Sequence, residues 1–482
     1  MPRSSSIRGL TATVAVLFAA ALAPGAQAAS AISPTAFMSG TRIGTIAPTG
    51  SLSRGRADAT VTLLGNGKVL VAGGYPDMEA TASAEIYDPS TGLFAATGAM
   101  NEPRAQATAT LLANGKVLVA GGVGTSGSLS SAELYDPVSG TFTPTASMHT
   151  ARDGHTATLL SDGKEVLIAA GNSATETDTS AEVYRVAANS TPASFQAVGD
   201  LGTARGATTA TLLPNGKVLF AGGASSTSAS GVLSSAELYN PGTRAFTPTG
   251  SMLNAQAGAT ATLLGSGKVL VAGGGRYTGT GIEARDSAEL YNPASGTFKA
   301  TGRMTNTRWG AEATLLANGQ VLVAGGAEAE GVSNRFDVYD PASGTFKFGG
   351  LLLNYRFGGS AVRLTNGKVL LVGGGDNVNG PTASAELYTP ATGAPPRAPG
   401  KPAVKWAVNK TKRLVTAAVN PVTGVAYTLT AKLGRKTKTG SCKTKGSKIV
   451  CTISPGRGKW AFAVTPRSVG GTGPANRKTL KL

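Results

Sequence analysis

The chain has 482 residues, too many for one compact core, and 66 of them are glycine with no G-X-Y period. That composition excludes a collagen and predicts the many tight turns of an all-β protein. The net charge is +18 although only 15 % of residues are charged, and two His and two Cys exclude a His- or Cys-rich metal site and a disulfide-dense scaffold.

From the N-terminus, residues 1–28 read as a secretory signal peptide. Arg3 and Arg8 make a basic start, Leu10 to Ala23 is apolar and uncharged, and Ala26-Gln27-Ala28 offers the small residues of a cleavage site. The apolar run is shorter than the ~20 residues a spanning helix needs, and no later stretch approaches that length. The mature protein is expected to be secreted, extracellular or envelope-associated, without a transmembrane segment.

Residues 29–390 are organised by an internal repeat. The string TATLLANGKVLVAGG at Thr108–Gly122 recurs with paired glycines at Gly73, Gly121, Gly222, Gly273, Gly325 and Gly373, and a degenerate Ala170-Gly171 fills the one gap. The intervals are 48, 49, 52, 51, 52 and 48 residues, which makes seven copies. Each copy reads as four strands. Thr-Ala-Thr-Leu-Leu leads into an Asn-Gly turn such as Asn114-Gly115, a two-residue hairpin signal because both positions tolerate positive φ. Lys-Val-Leu-Val-Ala ends at the paired glycines. After a polar loop, Ala-Glu-Leu-Tyr stops at Asp-Pro or Asn-Pro, where proline lacks the donor a ladder needs. Gly-Thr-Phe opens the fourth strand. Residues 41–52 read as a lone fourth strand, and the last copy ends after its third, at Glu386-Leu387-Tyr388. The N-terminal strand is therefore expected to complete the seventh unit.

This pattern resembles the kelch repeat family. The paired glycines match it, as do the Tyr-Asp-Pro turns at Tyr87, Tyr135 and Tyr339 and the fourth-strand methionines Met100, Met148, Met252 and Met304. Phe94, Phe142, Phe246, Phe298 and Phe346 stand where the family often has Trp. The resemblance implies a seven-bladed β-propeller like the central domain of galactose oxidase. The copper radical oxidases of that kind need two Tyr, two His and a Cys cross-linked to one Tyr. Here the propeller has no Cys, and its two His, His149 and His155, lie in one repeat. Sialidase Asp-boxes, a nucleophile elbow, a phosphate loop and a zinc helix are also missing. The expectation is a protein that is not an enzyme, with no cofactor and no metal. The alternative is a divergent galactose oxidase-like or carbohydrate-active enzyme.

Candidate binding residues follow from the repeat register. Arg56, Arg104, Arg152, Arg205, Arg308 and Arg356, with Gln256 in the seventh place, precede the first strand of each copy. The family places that loop on the same face of the disc as the loop after the second strand. A ring of guanidinium groups at a pore mouth would pair a carboxylate or sulfate; the competing reading ties the same arginines to loop carbonyls. A recurring acid, Glu85, Glu133, Glu182, Glu237, Glu289, Asp337 or Glu386, would neutralise them. Trp309 and Tyr355 flank the ring, and Arg276 and Tyr277 mark the most varied loop. His149, Asp153 and His155 form a weak metal pattern.

The stretch 391–402 is a Pro-rich linker. Beyond it, 403–482 reads as a small β module, and residues 397–482 hold 19 Lys and Arg and no acid. Tyr427, Leu429 and Leu433 alternate, as do Trp460, Phe462 and Val464. The module resembles a bacterial fibronectin type III-like (Ig-like) β-sandwich. After export Cys442 and Cys451 are expected to form a disulfide. Lys432, Arg435, Lys436, Lys438, Lys443, Lys445 and Lys448 cluster around that hairpin and would attract a polyanion. The expected partners are a protein or glycan at the propeller loops and an anionic cell-wall polymer or membrane surface at the basic module, with nucleic acid not favoured.

Overall fold

The computed structural model describes residues 43–391 except 174–176, 188–191, 227, 279–280, 330 and 377–378, together with the strands of a C-terminal unit between 404 and 481. The expected export segment and most of the linker lie outside the described residues. The chain divides into two compact units, the second made up chiefly of Thr392–Leu482.

The first unit is a propeller of seven four-stranded antiparallel blades. Blade 2 shows the plan: Thr108–Leu111, Val117–Ala120, Ala132–Asp136 and Thr141–Pro144 pair in that order from the axis outward. The second strand of that blade is buried at every position, so it reads as an unbroken apolar run rather than an alternating one. The last blade uses Phe357–Arg363, Val369–Asp376 and Ala385–Pro390, and its fourth strand is Gly44–Pro48 from the other end of the propeller.

One blade cannot cover both faces of its sheet, so each seam is an apolar cluster drawn from two neighbours. Leu70 and Ala72 of blade 1 meet Val117, Val119 and Tyr135 of blade 2. Val69 and Val71 on the other face of blade 1 meet Leu370 and Val372 of blade 7, which closes the ring. The paired glycines serve this packing. Gly74 N–H donates to Arg104 O (2.9 Å), and Gly374 N–H donates to Arg56 O (2.9 Å), so the loop of the following blade sits directly on the glycine pair. Gly73 and Gly74 take φ of +70° and +91°, a region that costs other residues energy.

The turn between first and second strands differs from the expected two-residue form. Leu64 N–H donates to Lys68 O and Gly67 N–H to Leu64 O, and Gly67 takes a φ of +84° whereas Asn66 does not take a positive φ. The loop is three residues long with glycine last. The asparagine contributes a side-chain acceptor instead, receiving Lys68 N–H at 3.0 Å.

In the second unit the strands pair along one continuous path: Val404–Asn409, Leu414–Val419, Lys448–Ile453, Lys436–Lys445, Ala426–Leu433 and Lys459–Ser468, with Asn476–Lys481 on the last. Lys436–Lys445 serves both halves, pairing with Ala426–Leu433 by its first five residues and with Lys448–Ile453 by its last five. Where two separate sheets are expected, this shared strand joins them.

Candidate functional site at the axial mouth

The arginines of the repeat are internal clamps. Arg56 is 2 % exposed; its Nη1 donates to Gly73 O and Ser83 O, and its Nη2 to Ser83 Oγ and Glu85 Oε1 (3.0 Å). Arg104, Arg205 and Arg356 repeat this with Glu133, Glu237 and Glu386 at 3.1, 2.9 and 2.7 Å. Arg152 lies 3.2 Å from Asp178 and 3.6 Å from Glu182. Each acid also receives N–H groups of the inter-blade loop, as Glu133 does from Asn101 and Glu102. The expected guanidinium ring at a pore mouth is therefore not formed, because desolvated cations are held by carbonyls and carboxylates inside the blades. In blade 6 the acid is Asp337, one methylene shorter, and the contact with Arg308 stretches to 3.8 Å. The Gln256 side chain, also buried, donates only to Met252 Sδ.

The two residues after each clamp reach the axis, and here the blades differ. Backbone hydrogen bonds link successive blades at the second of them: Asp58 N–H to Gly358 O (2.7 Å), Gln106 N–H to Asp58 O (3.0 Å), Gly154 N–H to Gln106 O (3.1 Å), Gly258 N–H to Ala207 O and Gly310 N–H to Gly258 O (both 2.9 Å). All of these residues take left-handed φ, between +47° at Ala207 and +66° at Gly358. Glycine is at ease there, whereas Asp58 and Gln106, both at +53°, carry strain of about 1 kcal/mol each.

Side chains at this ring divide into two arcs. On blades 1 to 3, Gln106 Nε2 donates to Asp58 Oδ2 (3.2 Å), Ser128 Oγ donates to Asp153 Oδ2 (2.6 Å), and Asn172 Nδ2 approaches Asp153 Oδ1 (3.4 Å). Burial pushes the Asp58 carboxyl up to about 6, against the Gln106 hydrogen bond, and raises Asp153 as well. Burial and then the charges of Asp58 and Asp153 push the Tyr75 phenol up to about 12. On blades 6 and 7, Trp309 stacks on Phe357 with centroids 5.0 Å apart and ring planes at 20°. The glycines of the ring make room for this arc: a Cβ on Gly310 would lie 2.6 Å from the Phe357 ring, and one on Gly358 equally close to Asp58 Oδ1.

Of the other expected residues, Tyr355 is exposed and Trp309 is buried beneath the surface of the mouth. Arg276 pairs with Glu283 (2.6 Å) on the hairpin of blade 5, and Tyr277 on the same hairpin packs on Ala224, Val232 and Ala257. The histidines do not converge: His149 meets Glu182 Oε2 (2.6 Å), whereas His155 shares a hydrogen bond with Thr108 Oγ1 (2.8 Å), and burial, then the Arg152 charge, drops it to about 3. Asp153 faces Ser128 and Asn172 instead, so the three residues of the weak metal pattern do not come together. Among the described residues no group of three or more His, Cys, Asp or Glu is placed to hold a metal.

Glu312 was not legible as a site residue. It occupies the first-strand position that holds Thr60, Thr156, Thr209 and Thr260 in other blades, whose hydroxyls donate to carbonyls of the second strand. No side chain donates to the Glu312 carboxyl, and burial pushes it up to about 7 against the backbone N–H groups of Glu312 itself and Gly359 and the charges of Arg356 and Arg308. Gly359 on blade 7 leaves it room, since a Cβ there would lie 3.0 Å from Glu312 Oε1.

In the second unit, register sets Cys442 directly opposite Cys451. It also divides the expected basic cluster: alternation and pairing put Lys432, Lys443, Lys445 and Lys448 on one face of the sheet and Lys436 and Lys438 on the other. Arg435 lies outside the described residues.

Residues 104–149 match the family model described as Kelch motif. The matched stretch is one copy of the repeat, and the other six blades share its four-stranded plan. No curated protein sequence matches the chain. Among 460 solved chains that do match it, one is described as a novel fungal alcohol oxidase with catalytic diversity among the AA5 family, in complex with copper. The likeness has a TM-score of 0.61 at 18 % identity and covers 91 % of this chain and 100 % of that one. This neighbour overturns the expectation that the chain is not an enzyme. A protein described as an alcohol oxidase shares this fold, so the fold gives no ground for excluding catalysis. The histidines of this chain, one bound to Glu182 and one buried against Thr108, do not fit the two-His, two-Tyr copper set that the resemblance implies.

Proposed function

We propose that the protein is exported and that its kelch propeller binds a carbohydrate, or another ligand dense in hydroxyls, at the axial mouth. The single observation that carries this reading is the division of the mouth into a polar arc of half-buried Asp58, Gln106 and Asn172, backed by buried Asp153, and an aromatic arc of half-buried Phe357 backed by buried Trp309. A sugar ring has C–H faces that pack on aromatic rings and hydroxyls that donate to carboxylates and accept from amides. The strained backbone at Asp58 and Gln106 supports the same reading, since strain of this kind collects where side chains must be aimed. Cys442 and Cys451 are proposed to pair as a disulfide after export; a mass of the unreduced protein two hydrogens below that of the reduced form checks this.

The test is a glycan panel followed by calorimetry on the best ligand. Phe357→Ala and Asp58→Asn are each expected to weaken binding about tenfold, while Tyr355→Ala changes it little. Equal affinity in the wild type and both mouth variants would place the ligand elsewhere. Mass analysis of the ligand recovered from the same samples reads out any chemical conversion.

A further inference from the structure

Among the described strands of the C-terminal unit, register gathers nine basic residues on one face and leaves Lys436, Lys438 and Lys478 on the other. Directly opposed residues share a face of a sheet, so the pairs Lys405↔Ala418, Ala418↔Val450 and Val450↔Lys443 place Lys405 and Lys443 together, with Lys445 and Lys448 two residues on. Thr437↔Lys432, Lys432↔Ala461 and Ala461↔Thr479 continue that face through the second half, where it holds Lys432, Lys459, Arg467, Arg477 and Lys481. The opposite face collects Trp406, Tyr427, Trp460 and Phe462, together with both cysteines.

Two features show that this basic face lacks a counterpart within its own unit. Lys445 stands directly opposite Lys448, and Lys459 directly opposite Lys481. Like charges opposed across strands are destabilising, and residues 397–482 contain no acid to relieve them.

We infer that this face is a docking surface for a linear anionic glycopolymer, a chain of sugars bearing sulfate, phosphate or carboxylate groups. Charge complementarity selects an anion, and the spread of cations over many strands selects a polymer rather than a single small ion. The residues between the cations are chiefly Thr, Ser and Ala, such as Thr416, Thr430, Thr439 and Thr452. They include no aromatic, so the stacking platforms with which proteins grip single-stranded nucleic acid are missing from this face. They also lack the run of large apolar residues that an interfacial membrane anchor inserts. The inference is independent of the axial mouth.

The experiment uses the full chain and heparin as the probe. Affinity is measured between 0.1 and 0.5 M salt, beside a DNA oligonucleotide and vesicles containing phosphatidylglycerol. The triple variant Lys443→Gln, Lys445→Gln, Lys448→Gln removes three charges from the basic face. Lys436→Gln, Lys438→Gln, Lys478→Gln removes three from the opposite one. The first is expected to weaken heparin binding at least tenfold and to flatten the slope of log affinity against log salt by about two. The second should leave both within twofold. Where the first triple fails to fold, single changes at Lys443 and Lys445, each expected to cost about twofold, carry the test. Equal losses from the two triples, binding indifferent to salt, or tighter binding to DNA or vesicles than to heparin would overturn the assignment.

Discussion

Tyr239 offers a substitution whose sign is set by one neighbouring side chain. In five blades the third-strand tyrosine shares a hydrogen bond with a threonine of the preceding blade: Tyr87 with Thr49 (2.8 Å), Tyr135 with Thr97 (2.9 Å), Tyr184 with Thr145 (3.0 Å), Tyr291 with Thr249 (2.9 Å) and Tyr339 with Thr301 (2.8 Å). In blade 4 the threonine position is Val198, which packs on the same apolar cluster as Tyr239, and the Tyr239 hydroxyl is buried without a partner. An unmade hydrogen bond on a buried hydroxyl costs about 1–3 kcal/mol, whereas a made one contributes about 1 kcal/mol net. Tyr239→Phe should therefore stabilise the propeller by about 1 kcal/mol, and Tyr135→Phe should destabilise it by a similar amount. Val198→Thr supplies the missing partner. It should add about 1 kcal/mol and turn Tyr239→Phe from stabilising to destabilising. The coupling is read from a double-mutant cycle in urea, and each step corresponds to a shift of the thermal midpoint of about 2 °C in a unit of this size. A Tyr239→Phe variant as destabilised as Tyr135→Phe, or a cycle with zero coupling, would refute the reasoning.

Three further outcomes follow from the same geometry. Arg104→Ala leaves Glu133 buried and unpaired and should cost about 3–5 kcal/mol, while Arg276→Ala, which breaks an exposed pair with Glu283, should cost less than about 1 kcal/mol; denaturant melts of the two variants separate these. Gly310→Ala sets a methyl group 2.6 Å from the Phe357 ring at a φ of +63°, and should both destabilise the propeller by about 2 kcal/mol and weaken ligand binding at the mouth. Gly319→Ala, at a φ of +85° with open space around it, should cost only about 1 kcal/mol and leave binding intact, as calorimetry on both variants will report. Glu312 titrates near 7 in the folded chain against 4.5 for the free side chain, so the native state holds the extra proton. Its contribution is full below about pH 4.5 and is lost as pH rises through about 7, on the order of 3 kcal/mol in all. Glu312→Gln should flatten the decline in stability across that window, measured as the thermal midpoint against pH.

The propeller was legible because its signals are local and repeated. An apolar second strand recurs seven times, and a glycine pair and a Tyr-x-Pro stop recur in every copy but the third, which has Ala170-Gly171 and Tyr184-Arg185-Val186; each follows from backbone conformation or from which face is covered. The N-terminal strand at Gly44–Pro48 was legible for a related reason, since a blade lacking one strand leaves an edge that some other segment must fill. The mouth was harder to read. The arginines recur at regular spacing, and regular spacing in a repeat marks what every blade needs internally. The proposed site lies where the copies disagree, at Ala57-Asp58, Ala105-Gln106, Asp153-Gly154, Trp309-Gly310 and Phe357-Gly358. Aligning the copies and seeking their least regular columns would have found those positions.

From the sequence alone come the antiparallel blades, their number, the glycine positions and the segregation of basic residues beyond position 397, because each depends on neighbours a few residues apart. Only the folded chain decided that the arginines turn inward onto carbonyls, that Asp58 meets Gly358 where the ring closes, and that Lys443 shares a face with Lys481. Those outcomes join residues tens to hundreds of positions apart. They follow from ring closure and strand register, which bring such residues together only once every blade has found its neighbour.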